Sequence, residues 1–331
     1  IRIMGSINLK HTGSGSDIAL SSDGTSLLLN GTAVGGGGGP TFKTFGTGSI
    51  MIGDDATGTI NAANYNTGLG VDVFAALTSG DNNVAIGYES LKSITSQSQN
   101  VAVGYRALRL NTVEMNTAVG AYTLSSNTSG THNTAIGRLV AEKNTTGAFI
   151  TAIGSGALAE NTTALYNTAV GYNALYANTT GASNDAFGGL VLDANTTGTQ
   201  NVSMGRSSLT ANTTGSDNSA LGHAALAGNT TGANNVSVGS QALSSNTTAS
   251  NNTAVGYQAG YSNTTGVQHV AMGRQALYSN TTGVQNTAIG QRAMYDSSTG
   301  SYNTAIGYSA LENNTTASQN TAVGYQAGYN N

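Results

Sequence analysis

A glycine recurs every 17 residues through most of this 331-residue chain. It follows a small and an apolar residue, as in TAVG or VSMG, at Gly87, Gly104, Gly120, Gly137, Gly154, Gly171, Gly188, Gly205, Gly222, Gly239, Gly256, Gly273, Gly290, Gly307 and Gly324. One interval is 16 residues and every other is 17. The segment NTAVGYQAG, at 252–260 and again at 320–328, is therefore repeated after four periods. Such self-similarity at a fixed, short period is the signature of a repeat architecture.

The period restricts which repeat fold is possible. Seventeen residues are too few for a helical hairpin, a propeller blade or a leucine-rich repeat, but they suit one coil of a β-solenoid. We therefore predict an all-β protein, a parallel β-solenoid or β-roll of about fifteen coils over residues 81–331.

Composition excludes several other classes of protein. Only 8% of the residues are charged, against about 25% in a typical globular domain, while 46 are Gly and none is Cys or Trp. The net charge of −4 provides no basic patch for nucleic acid. No segment reaches the ~18 apolar residues of a membrane span.

Two columns of residues precede the glycine, and side chains alternate across a strand. The bulky column is expected to fill the coil as its core, and it includes Val119, Ile136, Val170, Val238, Val255, Ile289 and Val323. The opposite face is a strip of Ala and Gly that is too small and too apolar for a solvated surface. We predict that this strip is an interchain interface, formed by Ala118, Gly120, Ala169, Gly171, Ala254, Gly256, Ala322 and Gly324.

A strip that runs along every coil requires a partner of the same length. The closed solution for a fibre is a three-fold bundle. The sequence therefore predicts a homotrimer as the partner arrangement.

Two columns of asparagine punctuate each repeat. One lies four residues before the glycine and includes Asn116, Asn167 and Asn252; the other lies seven residues after it and includes Asn144, Asn178 and Asn263. Asparagine tolerates the left-handed backbone of tight turns, and amides stacked at the ~4.8 Å strand spacing can bond along a column. Both columns are predicted to be ladders.

The first eighty residues lack the period. Residues 1–34 contain short strand-like segments and are predicted to be a β-rich connector. Residues 35–40 form a Gly-rich linker, and residues 41–80 a second short β connector. Because the chain begins at Ile1 and ends within a repeat, we expect it to be part of a longer protein.

Several sequence patterns fit both a functional site and a simpler structural role. Eleven N-T-[ST] triplets match the glycosylation sequon, but their Asn and Thr are also what a stacked bend requires. Aromatic and basic residues near the glycine could contact glycans: Tyr172, Tyr257, Arg274, Tyr308 and Tyr325. Regular threonines raise the possibility of ice binding, although adjacent threonines in a strand would point to opposite sides.

Signals for catalysis are scarce. The four histidines are far apart in sequence, and His269 replaces an Asn of its column. Asp54 and Asp55 lack the ligand spacing of a calcium loop and favour a turn. We expect no enzyme activity, no cofactor and no metal site.

The step N-[TSV]-[AS]-[VI]-G resembles the head repeats of trimeric autotransporter adhesins, the YadA-like family, and similar repeats occur in phage tail-fibre proteins. The resemblance covers residues 81–331, and the 17-residue unit is longer than the family's usual repeat. It implies trimers of left-handed parallel β-rolls, with the Ala and Gly columns at the subunit interface. It also implies a structural fibre on a cell surface or virion that projects an attachment function. The alternatives are a glycan-binding adhesin module and an ice-binding solenoid.

Overall fold

A computed structural model describes the backbone of residues 7–9, 18–22, 27–29, 32–33 and 41–45, and all of residues 47–53 and 62–330. The chain divides into two compact units, residues 1–128 and 129–331. The described residues of both units form strands, turns and bends, and no helix. Each unit contains a parallel β-solenoid, as the period predicts.

The first unit contains two sheets. An antiparallel four-stranded sheet consists of β1 (Ile7–Leu9), β2 (Ile18–Ser22), β3 (Leu27–Leu29) and β4 (Thr32–Ala33). The second sheet consists of β5 (Thr41–Phe45), β6 (Ser49–Gly53), β7 (Thr67–Gly70), β8 (Val84–Ile86), β9 (Val101–Val103) and β10 (Thr117–Val119). β5 and β6 form an antiparallel hairpin, and from β6 onward each strand pairs in parallel with the next.

The solenoid pairing starts earlier in the chain than residue 81. Thr67–Gly70 pairs with the next coil 17 residues on, although its sequence, TGLG, lacks the usual alanine. The predicted linker at 35–40 lies outside the described residues.

The second unit is one continuous parallel sheet. Its twelve strands are β11 (Thr134–Ile136), β12 (Thr151–Ile153), β13 (Thr168–Val170), β14 (Asp185–Phe187), β15 (Val202–Met204), β16 (Ser219–Leu221), β17 (Val236–Val238), β18 (Thr253–Val255), β19 (Val270–Met272), β20 (Thr287–Ile289), β21 (Thr304–Ile306) and β22 (Thr321–Val323). Each strand pairs with the next in register, so that the central Ala or Ser of one coil faces that of the next.

Backbone hydrogen bonds join each coil to both neighbours. The Thr287 N–H donates to the Asn303 carbonyl at 2.9 Å, one coil on, and the Gly290 N–H donates to the Met272 carbonyl at 2.8 Å, one coil back. Between strands, three residues adopt the left-handed conformation in most coils, and most of them are not glycine, as at Gln275, Leu277 and Gln285 (φ of 56°, 54° and 55°). These residues turn a chain whose strands are only three residues long.

The interior of the coil is filled by alanine, leucine and asparagine. Ala254 and Leu243 are 0% and 1% exposed. A Cβ placed on Gly260 would lie 3.0 Å from Leu243 Cδ2 and 3.9 Å from the Ala254 Cβ, so these columns meet inside the coil. Gly260 and Gly328 stand where most coils carry Leu, and the leucine of the preceding coil extends toward each of them.

The predicted core column of Val and Ile is wrong, because it faces outward. Ile136, Ile289 and Val323 are 39%, 37% and 66% exposed. Val119, Val170, Val238 and Val255 are half-buried. The prediction that side chains alternate between two faces of the strand is confirmed. The larger size of Val and Ile, however, led to the wrong face being assigned to the core. A coil already occupied by Leu and two Asn columns has room opposite them only for a methyl group.

The predicted interface of Ala and Gly is wrong for the same reason. Ala118, Ala169 and Ala254 are fully buried within a single chain, and Ala322 is 9% exposed. Their partners are therefore side chains of their own coil and not a second subunit.

The glycine column has a cause within one chain as well. Gly120, Gly171, Gly256 and Gly324 have φ of 132°, 140°, 137° and 128°, which favours glycine. A Cβ on Gly256 would also lie 2.5 Å from the carbonyl oxygen of Gly273 in the next coil. Close approach of successive coils therefore requires glycine here within a single chain.

Candidate functional site

Both asparagine ladders are present inside the coil. Asn116, Asn144, Asn167, Asn178 and Asn263 are 0% exposed and Asn252 is 1% exposed. In most coils of the ladder after the glycine, the amide donates to the Oδ1 of the preceding coil, as from Asn178 to Asn161 at 3.1 Å and from Asn263 to Asn246 at 3.0 Å.

The ladder before the glycine uses the backbone. Asn167 Oδ1 accepts the Asn184 N–H at 2.9 Å, and Asn167 Nδ2 donates to the Gly181 carbonyl at 2.9 Å. Each amide therefore satisfies a backbone group of the next coil and one of the following bend. Because the Asn of the second ladder is buried and bonded, its N-T-[ST] triplets do not present an accessible amide for glycosylation.

His269 imitates an asparagine within the first ladder. It is 2% exposed, and its Nδ1 accepts the Asn286 N–H at 3.1 Å, as an Asn Oδ1 does in other coils. Its Nε2 lies 3.1 Å from Asn280 Nδ2. Burial lowers the pKa of His269 to about 4, so the ring is neutral at pH 7.

The second ladder is interrupted one coil beyond this histidine. Ser297 replaces the expected Asn, and its Oγ has no hydrogen-bond partner. The Oδ1 of Asn280, which would accept from an Asn at 297, is also unpartnered, and both residues are fully buried.

The outward strand residues of the second unit form one surface, here called the outer stripe: the first and third residues of β11 to β22. In the second unit the third residue is apolar in all twelve coils, from Ile136 to Val323. Ile153, Met204 and Leu221 are 37%, 46% and 49% exposed. Asp185 is the one charged residue on the stripe of this unit.

The length of this stripe distinguishes it from ordinary surface. Twelve coils at a spacing of ~4.8 Å extend it over roughly 50 Å within the second unit. Single exposed apolar side chains are normal on soluble proteins, but a long contiguous row typically marks an interaction site.

The residues proposed for glycan contact form a column immediately after the glycine. Tyr172, Tyr257, Tyr308 and Tyr325 are 60%, 46%, 44% and 73% exposed, and Arg274 is exposed. The rings of Tyr308 and Tyr325 stack at 5.5 Å with an interplanar angle of 12°. Of these five side chains, Tyr308 and Tyr325 are the pair whose rings stack.

Further ring stacks run along the surface. Tyr261, Tyr278 and Tyr295 stack at 5.2 and 4.9 Å, and Arg292 lies 4.3 Å from the ring of Tyr295. A second stack, which sequence reasoning missed, joins His132, Phe149 and Tyr166 at 5.1 Å. Its signal was an aromatic residue or histidine at the same repeat position in three consecutive coils.

The doubled threonines do not lie in a strand. They occupy a bend, where the first hydroxyl is used within the solenoid: Thr213 Oγ1 donates to the Thr230 carbonyl at 3.1 Å. The second, Thr214, is exposed. Adjacent threonines therefore need not point to opposite sides, and ice binding stays an untested prediction.

A compensated ion cluster lies in the first unit. The Glu89 carboxylate accepts from Lys92 Nζ at 2.7 Å and from Arg106 Nε at 2.8 Å, and Lys92 also contacts Asp72 at 2.9 Å. The hydrogen bond to Glu89 is the main cause that raises the pKa of Lys92 to about 12, and the same bond lowers the pKa of Glu89. These charges are paired with one another.

Other candidate sites give little further evidence. The described residues contain no group of three or more His, Asp or Glu that could hold a metal ion. Asp54, Asp55 and His11 lie outside the part of the chain that the structure describes. No described segment forms a helix that could cross a membrane.

Comparison with known proteins gives no assignment: the chain matches no protein-family model, no curated protein and no solved structure.

Proposed function

We propose that this protein is a structural fibre component whose solenoid associates with two further copies along the outer stripe. The observation that carries the proposal is the stripe itself: its third strand residue is apolar in every coil of the second unit, and Asp185 is the one charged residue on it. In this proposal Val and Ile face the neighbouring copies, while Ala remains inside each coil.

A second copy of the same chain fits this surface better than an unrelated partner. The stripe presents a side-chain row at a constant rung spacing, and a partner gains contact at every coil only if it has the same spacing. A parallel copy meets that condition by construction. Around a three-fold axis, the single stripe of each chain is covered by the other two chains. No apolar surface is then left exposed to which further chains could add.

The resemblance to trimeric autotransporter heads and phage tail fibres supports a three-chain fibre, although it implies the Ala and Gly columns, and not the outer stripe, as the contact between chains. By this resemblance the protein lies outside the cell, on a surface appendage or a virion, and projects an attachment function. Its role is mechanical, because each coil contributes burial and backbone hydrogen bonds mainly to its nearest neighbours.

Light scattering after size-exclusion chromatography tests the assembly. The wild type should have three times the 33.1 kDa of one chain. Val255→Asp combined with Ile289→Asp places two carboxylates in the stripe and should yield single chains. The matched control, Gln268→Asp with Gln285→Asp, adds the same charge at exposed positions outside the stripe and should remain trimeric.

A wild type that runs as a single chain at micromolar concentration would refute self-association. A stripe variant that stays trimeric would refute the stripe as the contact.

A further inference from the structure

In the column of residues that directly follows the repeated glycine, one coil carries a second glycine and therefore no side chain; we call this position the open rung. In successive coils it consists of Ser155, Tyr172, Gly189 and Arg206. Backbone bonds fix this stacking: the Leu190 N–H donates to the Tyr172 carbonyl at 2.9 Å, and the Ser207 N–H donates to the Gly189 carbonyl at 3.1 Å. Gly189 thus stands directly between Tyr172 and Arg206 but has no side chain to separate them.

The space beside Gly189 is unfilled. A Cβ placed there would have no neighbour closer than the Tyr172 carbonyl oxygen at 4.0 Å. Elsewhere in the column, rings one coil apart stack at 5.3 Å (Tyr88 and Tyr105) and 5.5 Å (Tyr308 and Tyr325). Two coil spacings amount to about 10 Å, which leaves room for one ring between Tyr172 and Arg206.

The two flanking side chains are free to bind. Tyr172 is 60% exposed, and its neighbours in the column, Ser155 and Gly189, are too small to cover its ring. Arg206 is exposed and forms no ion pair among the described residues. Arg106 and Arg292, by contrast, are paired with Glu89 and Glu312 at 2.8 and 2.6 Å.

We propose that Tyr172, Gly189 and Arg206 form a binding site for one pyranose ring that carries a carboxylate. The apolar face of the sugar would stack on Tyr172, and its carboxylate would accept hydrogen bonds from the Arg206 guanidinium. The site is formed by side chains of one chain and lies outside the three-residue strands that carry the outer stripe.

No other position of the column has a glycine between a tyrosine and an arginine. Tyr308 and Tyr325 each cover one face of the other. Tyr257 is followed directly by Arg274 in the next coil, so that no open rung separates them. Among the aromatic and basic residues of this column, Tyr172 and Arg206 are therefore the one pair with a glycine between them.

Saturation-transfer NMR and calorimetry with the full chain test the site, using trigalacturonic acid as the acidic probe and maltotriose as the neutral one. The wild type should bind trigalacturonic acid. Arg206→Gln should weaken that binding about tenfold, as expected for the loss of a charge-assisted hydrogen bond. Tyr172→Ala should weaken it by at least the same factor, and Tyr257→Ala, the matched control, should not.

Gly189→Tyr is the decisive variant. The open space and the absence of a left-handed φ at Gly189 allow a ring there, so the thermal transition should be unchanged while binding is lost. Absence of wild-type binding, equal binding of maltotriose, or undiminished binding by Gly189→Tyr would each overturn the proposal. Because scattering mass is measured separately, failure of this site is distinguishable from failure of the fibre assignment.

Discussion

At the scale of the residue, His269 shows that only a side chain with a hydrogen-bond acceptor at the right place can occupy the asparagine ladder inside the coil. The ladder requires an acceptor for the next backbone N–H, and the unprotonated Nδ1 supplies it to Asn286. Protonation would place an N–H opposite another N–H. Spacing alone identified the substitution of Asn by His, but which nitrogen accepts, and how fully the ring is buried, required the structure.

The histidine makes stability depend on pH. Its pKa is about 4 in the folded chain and about 6.5 when exposed, so the unfolded chain binds more protons between these values. The free energy of unfolding should therefore fall as the pH drops from about 6.5 to about 4, by about 3 kcal/mol in total. His269→Asn should remove this dependence, measured by chemical denaturation at pH 7.5 and pH 4.5.

The exposed His132 provides the control. His132→Asn should leave the pH dependence intact. An unchanged slope in His269→Asn would contradict the assignment of the titration to this rung.

The interrupted ladder at Ser297 gives a second residue-scale prediction. Ser297→Asn should let the new Nδ2 donate to the unpartnered Asn280 Oδ1 and raise the free energy of unfolding by about 1 kcal/mol. Gly300 already provides the glycine that accompanies Asn in most other coils. Ser297→Ala cannot form this bond, so equal stabilisation by both substitutions in a thermal melt would argue against ladder repair.

At the scale of the element, three-residue strands explain both the success and the failure of sequence reasoning. The periods of 17 and 2 located the strands and grouped the side chains that share a face. They could not reveal which face is inside, because the width of the coil is set by residues such as Leu243 and Leu277, buried in left-handed conformation (φ of 47° and 54°).

Gly256 tests whether the glycine column acts within the chain. Gly256→Ala forces a Cβ toward the Gly273 carbonyl at φ of 137°, so it should lower the free energy of unfolding by about 2 kcal/mol or more. Gly189→Ala, in open space, should change it little. A loss in Gly256→Ala that occurs only in the assembled state, and not in a dissociated stripe variant, would instead support a role between chains.

At the scale of the whole molecule, the repeat determines local structure more directly than assembly. A stack of equivalent coils follows from equivalent columns, because each coil offers the next the same backbone groups and side chains. The number of chains in the assembly does not follow in this way, because it depends on which side chains remain exposed on the outside of the folded coil. In the structure Val and Ile lie on the outside of the coil. The predicted contact between chains therefore moves from the Ala and Gly strip to the outer stripe, while the predicted fold is unchanged.

A three-residue cysteine scan across β18 tests this account most directly, because the chain has no cysteine of its own. Under mild oxidation Val255→Cys should form disulfide-linked pairs of chains, whereas Ala254→Cys should form none and should react with a maleimide only after unfolding. Thr253→Cys, which shares the outward face, should resemble Val255→Cys. Interchain disulfides from Ala254→Cys with none from Val255→Cys would contradict the outward stripe and restore the Ala and Gly strip as the contact.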